Sequence, residues 1–206
     1  MLIESIKHGA DILKSGGVIA FPTDTVYGLG ADIFNDKAVE RIYKIKKRSR
    51  NYPFPLLLNN MSQLNIVTDK IPETIYPLAT TFWPGGLTVV LYKASTLPNY
   101  LSDRPTVAVR IPKHHIPLSL IQHIGNPIIG TSANISGMQN SLTADEVKEQ
   151  LGNTIDYIID GGSCPGGTES TIIDLSGMHP TIIRQGIIHQ NEIEQVLDHF
   201  YKRRNE

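Results

Sequence analysis

Apolar residues recur along this chain at two different periods, and the changes of period outline the elements. Ile3, Ile6, Ala10 and Leu13 fall three or four apart, the spacing of one helix face, and Gly16-Gly17 ends that helix. VIAFP (18–22) is a short apolar run that reads as a buried strand. Asp36 is placed to cap a helix carrying Ala38, Val39, Ile42, Tyr43 and Ile45. PLLL (55–58), LTVVLY (87–92), TVAVRIP (106–112), PIIGTS (127–132), TIIDL (171–175) and TIIR (181–184) are rich in β-branched residues and predict strands. Helices are expected near 72–82, 116–124, 143–151 and 191–203. Thr143 and Glu146 form a capping box, and Asn191 precedes the apolar face of Ile193, Val196, Leu197 and Phe200. Strands and helices mix without strict βαβ alternation, so the expected class is α/β with a sheet of mixed direction. No repeat or low-complexity linker divides the chain, which reads as one domain over residues 1–206.

Composition narrows the class without naming a chemistry. The chain has 206 residues, 40% hydrophobic and 19% charged, which excludes collagen-like, disordered and coiled-coil readings. Cys164 is the single cysteine, so an intramolecular disulfide and a multi-cysteine zinc site are excluded. No apolar run approaches the roughly 18 residues of a membrane span, and Glu4 and Asp11 interrupt the N-terminus where a signal peptide would be apolar. The expectation is a cytoplasmic protein without a membrane partner. The formal net charge is -1, yet RIYKIKKRSR (41–50) holds six basic residues and no acid. Such a block suits an anionic ligand, or is a solvated helix face.

Five segments at strand ends are richer in hydroxyls and glycines than a connection requires. They are PTDTVYGLG (22–30), KKRSRNYP (46–53), WPGG (83–86), TSANISG (131–137) and GGSCPGGTEST (161–171). Glycines and hydroxyls let a backbone approach an anionic or zwitterionic ligand, although each taken singly also serves an ordinary turn. Known cofactor signatures are missing. Gly28-Leu-Gly30 lacks the third glycine of a dinucleotide fingerprint, there is no GxxxxGK, and Ser132 lacks the glycines of a nucleophile elbow. His114 and His115 are adjacent, a poor spacing for two ligands of one metal, and no metal site is expected. Cys164 has no basic neighbour in sequence and reads as an unactivated thiol.

Taken in order, PTDTVYGLG, Lys46-x-Arg48, WPGGLT, VAVRIP, SANISG, STIID and IIRQG over residues 17–186 resemble the YrdC-like family of threonylcarbamoyl-AMP synthases. The resemblance implies a twisted mixed sheet with helices around a deep cationic cavity. It implies an ATP-dependent nucleotidyltransferase that joins L-threonine, bicarbonate (or CO2) and ATP into L-threonylcarbamoyl-AMP and pyrophosphate. The product would serve N6-threonylcarbamoyladenosine formation in tRNA, with tRNA-modification proteins downstream and tRNA itself as further partners. Mg2+ would enter with ATP.

Residue by residue, the resemblance implies that Thr25, Arg110, Gly130 and Ser170 hold threonine. Lys46, Arg48, Thr106, Ser132, Asn134 and Arg184 would hold ATP, with Lys46 and Arg48 also catalytic by neutralising phosphate charge. Period-2 alternation in TVAVR adds that Ala108 and Arg110 share one strand face and Val107, Val109 and Ile111 the other. This chain departs from the family pattern at Leu57, where a histidine is common, at Tyr52, where an asparagine is common, and at Asn140, where a serine is common. Two alternatives are an RNA-binding module of the same fold and, third, a carbamoyl-adenylate enzyme of hydrogenase maturation.

Overall fold

The apolar runs named above are largely buried, but the strands they form divide between two sheets. The computed structural model describes residues 1–204. Its first half contains α1 (Leu2–Lys14), β1 (Ile19–Phe21), β2 (Gly28–Gly30), α2 (Asp36–Lys46), β3 (Leu56–Leu57), α3 (Leu64–Val67), α4 (Ile75–Phe82) and β4 (Leu87–Tyr92). Its second half contains β5 (Thr106–Arg110), α5 (His115–Ile124), β6 (Ile128–Ile129), β7 (Thr131–Ser132), α6 (Ala144–Leu151), β8 (Tyr157–Ile158), β9 (Thr171–Asp174), β10 (Thr181–Arg184) and α7 (Gln190–Arg204). Among the described residues no helix is long and apolar enough to cross a membrane.

The larger sheet has the order β10-β9-β4-β5-β3-β6 and the smaller β7-β2-β1-β8. Both are of mixed direction: β4 runs antiparallel to β5 and parallel to β9, while β1 runs antiparallel to β2 and parallel to β8. The expectation of mixed α/β is met, with two sheets in place of one. PIIGTS shows why. Ile128 and Ile129 pair with β3 in the larger sheet, and Thr131 and Ser132 pair with β2 in the smaller. Gly130 is the crossing point, where a Cβ would sit 2.3 Å from the Leu57 Cγ. Only a residue without a side chain lets the two sheets approach there.

A large core joins the sheets through Val18, Leu29, Ile42, Leu56, Val89 and Val109. A second cluster packs α1 and α5 on the smaller sheet through Ile6, Leu13, Phe21, Ile116 and Leu120. Boundaries differ from the sequence pattern where turn chemistry decides them. Asn35, not Asp36, caps α2: its Oδ1 accepts from the Ala38 amide at 3.0 Å. The Thr143 Oγ1 accepts from the Glu146 amide as expected, but the Glu146 carboxylate reaches back to the Leu142 amide at 2.6 Å. The last helix begins at Gln190, one residue before Asn191, and the end of PTDTVYGLG is strand β2.

The cap assignment is testable. Asn35→Ala should cost about 1 kcal/mol, the typical loss of a capping side chain, whereas Asp36→Ala should cost only a few tenths through the helix dipole, on the order of 0.3 kcal/mol. Urea denaturation of both variants measures this, and equal losses would return the cap to Asp36.

Candidate functional site

One face of the larger sheet forms the floor of a cavity of about 410 Å3. Strand alternation decides which side chains reach it. Ile172 lies opposite Thr88, and Arg110 opposite Leu57. Val89 pairs with Val109, so Thr88 and Arg110 are the next pair along that antiparallel register. Ile172, Thr88, Arg110 and Leu57 thus make one row across four strands. Asp174, Val90 and Ala108 make the next row, and Thr106 lies beyond it. All of these line the cavity, while Val107 and Val109 turn into the core. The shared face of Ala108 and Arg110 follows the period-2 expectation.

Arg110 organises one end. It is 7% exposed, and its ion pair with Asp24 is short, 2.7 Å from Nη2 to Oδ1. Its Nε donates to the Gly85 carbonyl at 2.8 Å and its Nη1 to Thr25 Oγ1 at 3.2 Å. Asp24 Oδ1 also accepts from the Lys113 amide at 3.1 Å. Burial pulls the guanidinium below its ordinary value, and Asp24 acts in the opposite direction. A guanidinium has five N–H groups and stays charged in proteins. Three are used among the described residues, which leaves one on each Nη without a protein partner there.

The basic block is split by a single backbone turn. Lys47 ends α2 with φ 49°, a left-handed conformation, and its amide and that of Arg48 donate to the Lys44 and Tyr43 carbonyls. This is a Schellman ending without its usual glycine, at a conformational cost of about 1 kcal/mol. Before the turn, Lys46 points inward and is 2% exposed. Its Nζ donates to the Ser132 carbonyl at 2.7 Å, the Asn134 carbonyl at 2.6 Å and Asn134 Oδ1 at 2.7 Å. After the turn, Arg48 borders the cavity, with its guanidinium 5.1 Å from the Phe54 ring centroid. The other cations of the block are mostly engaged: Arg41 with Asp156, Lys44 with Glu40 and Arg50 with the Tyr100 carbonyl.

The family model of the Sua5, YciO and YrdC proteins, described as "Telomere recombination", matches residues 11–186. The chain belongs to the Sua5/YciO/YrdC family. It is 42% identical over 193 residues to the threonylcarbamoyl-AMP synthase of Pyrococcus abyssi, covering 93% of this chain and 57% of that protein. A crystal structure of P. abyssi Sua5 complexed with L-threonine superimposes with a TM-score of 0.90 at 42% identity, over 93% of this chain and 56% of that one. Escherichia coli YciO gives a TM-score of 0.82 at 29% identity, over 89% of this chain and 90% of that one. The chain therefore spans little more than half the length of the first curated relatives it matches.

Within this Sua5/YciO/YrdC fold, eight of the residues named from sequence border the one cavity: Thr25, Arg48, Thr106, Arg110, Gly130, Ser132, Ser170 and Arg184. Lys46 and Asn134 do not. They lie behind the wall, bonded to each other. Arg184 borders the cavity but is already engaged, with Glu169 and with the Ser170 carbonyl at 2.8 Å. Of the departures, Leu57 and Tyr52 line the cavity and Asn140 does not. Sequence reasoning missed Asp24, Thr88, Arg104 and Asp174, and left Thr23 as an ordinary turn or strand-end hydroxyl. Thr88 had a signal, being the polar residue in the apolar run LTVVLY. Asp24 had none, because its role depends on an arginine 86 residues away.

Burial, helped by the nearby Arg48 charge, lowers Lys46 to about 8. The folded value lies below the unfolded lysine value of about 10.4. Between the two the unfolded chain binds more protons, so this group's contribution to stability rises with pH. The stability of wild type relative to Lys46→Met, from urea titrations, should increase across about pH 8 to 10.4. A flat difference over that window would mean that Lys46 titrates at its ordinary value.

Proposed function

We propose that the chain is a threonylcarbamoyl-AMP synthase that consumes L-threonine, bicarbonate or CO2, and ATP. The observation that carries this reading is the joint lining of one cavity by Arg110, Thr25 and Ser170 at one end and Arg48 nearby. The names of the P. abyssi and Bacillus subtilis relatives and the threonine bound to P. abyssi Sua5 support it. The threonine amine attacks the carbon of CO2 and releases one proton to the medium as the carbamate forms, or attacks that of bicarbonate, in which case the amine proton leaves with the displaced hydroxide as water. A carbamate oxygen then attacks the α-phosphorus of ATP and the bond to pyrophosphate breaks. Neither step needs a covalent enzyme intermediate, so the chain contributes positioning and charge.

In this reading Arg110 holds the threonine carboxylate through its two spare N–H groups, with Thr25, Ser170 and the Gly130 backbone beside it. Arg48, Thr106, Ser132 and Arg184 face the nucleotide. Lys46 and Asn134 act by holding the Ser132 loop. The guanidinium groups of Arg48, Arg104, Arg110 and Arg184 line the cavity with the carboxylates of Glu169 and Asp174, and Asp24 pairs Arg110 beside it, a balance of four cations to three anions that leaves room for an anionic ligand. Among the described residues no group of three or more His, Cys, Asp or Glu is placed to hold a metal ion. Mg2+ then comes in on the ATP phosphates, as is usual for this ion. The adenylate passes to tRNA-modification proteins in the cytoplasm.

Pyrophosphate release, measured with each component left out in turn, tests the reading. Release should require threonine, bicarbonate and ATP together. Arg48→Ala should raise the ATP requirement about 10- to 150-fold, the equivalent of about 1.5–3 kcal/mol for a charge-assisted hydrogen bond. Lys44→Ala, in the same block but paired with Glu40, should leave it unchanged. Equal release without threonine would remove threonine as substrate. No release in any combination, with RNA retention that falls steeply with salt, would favour an RNA-binding module instead.

A further inference from the structure

The hydroxyl protons at the Arg110 end can be assigned by accounting for donors and acceptors. Thr23 Oγ1 lies 2.7 Å from the Val26 carbonyl oxygen, and two oxygens that close need a proton between them, so Thr23 donates there. Its two lone pairs are taken by the Thr25 amide at 3.1 Å and the Val26 amide at 3.3 Å, so its 3.1 Å contact with Thr25 Oγ1 commits no proton of either hydroxyl. Thr25 Oγ1 accepts from Arg110 Nη1. Its proton and its second lone pair are left, so it can meet either a donor or an acceptor in the cavity.

Ser170 is set one way only. Thr88 is completely buried, and the sole hydrogen-bond partner of its hydroxyl among the described residues is Ser170 Oγ at 2.7 Å. Were Thr88 the acceptor, its own proton would be buried without a partner, so Thr88 donates. Ser170 Oγ then accepts from Thr88 and, at 3.2 Å, from Arg184 Nη2. Both of its lone pairs are used, and its proton is left for the cavity.

We propose that Thr88 is a positioning residue that fixes the hydrogen-bond polarity of Ser170 on the cavity wall. Ser170, with Arg110, is held as a donor to a carboxylate, while Thr25 beside them accepts from or donates to the amine end. This pattern fits the head group of an α-amino acid and rejects one whose carboxylate is replaced by an amide. The inference rests on the synthase reading and adds the device that selects the head group, with Thr88 as its buried control.

Calorimetric titration of L-threonine, L-threoninamide and ATP into wild type, Thr88→Val and Thr88→Ser tests it. Valine keeps the shape and removes the hydroxyl, which frees a Ser170 lone pair to accept from an amide N–H. Thr88→Val should weaken threonine binding about tenfold, equivalent to the net worth of about one hydrogen bond. It should narrow the preference for threonine over threoninamide and leave ATP affinity unchanged, and Thr88→Ser should restore both threonine affinity and the preference. Unchanged threonine affinity and preference in Thr88→Val would overturn the inference and leave the synthase reading standing. Parallel loss of ATP binding would also overturn it, by making the role structural. Failure of wild type to bind any of the twenty amino acids would overturn both.

Discussion

A guanidinium buried in a protein interior must have its charge paired, and the end of the cavity at Arg110 is built around that requirement. The cost of dehydrating such a charge is several kcal/mol, on the order of the whole stability margin of a domain. Arg110 meets it with Asp24, Thr25 and the Gly85 carbonyl, which belong to two separate loops. The same bonds that make the charge tolerable therefore tie PTDTVYGLG and WPGG to the end of β5. In the proposed reading, holding the loops and gripping a ligand become one task, because two N–H groups are left over.

Lys46 repeats the device on the opposite wall. Its ammonium has three protons, and three oxygens of Ser132 and Asn134 lie within 2.7 Å of it with Ser132 Oγ a fourth at 3.4 Å, so α2 is fastened to the loop after β7. The left-handed turn at Lys47 then releases the chain outward and gives Arg48 to the cavity. Two cations only two residues apart thus do different work, one as a structural tie and one as a cavity charge. Strained backbone is maintained where surrounding contacts over-determine it. Here the tie on one side and the packing of Arg48 over Phe54 on the other supply that constraint.

Much of the architecture was legible because strand periodicity survives in the sequence: LTVVLY and TIIR form strands at their expected bounds, and TVAVR carries its alternation into the cavity. What was not legible depends on distant partners. The split of PIIGTS between two sheets follows from Leu57 pressing on Gly130, a contact between segments 73 residues apart in sequence. Asn35 took the cap from Asp36 because the first turn presents its carboxamide to the Ala38 amide, and residue preference alone does not separate the two. The Lys46-x-Arg48 motif gave no sign of the direction of either side chain, which the left-handed turn at Lys47 decides. Asp24 and Thr88 are legible only once Arg110 and Ser170 are in place.

The central claim is that Arg110 is prepared for an amino-acid carboxylate before any ligand arrives. A crystal structure of the protein with L-threonine and a non-hydrolysable ATP analogue tests it most directly. The carboxylate should lie on the free Nη groups of Arg110 beside Ser170, with the amine toward Thr25 and a phosphate near Arg48. The bonds from Arg110 to Asp24 and from Lys46 to Asn134 should persist. An amino acid bound elsewhere in the cavity, or Arg110 swung away from Asp24 to reach it, would contradict the account.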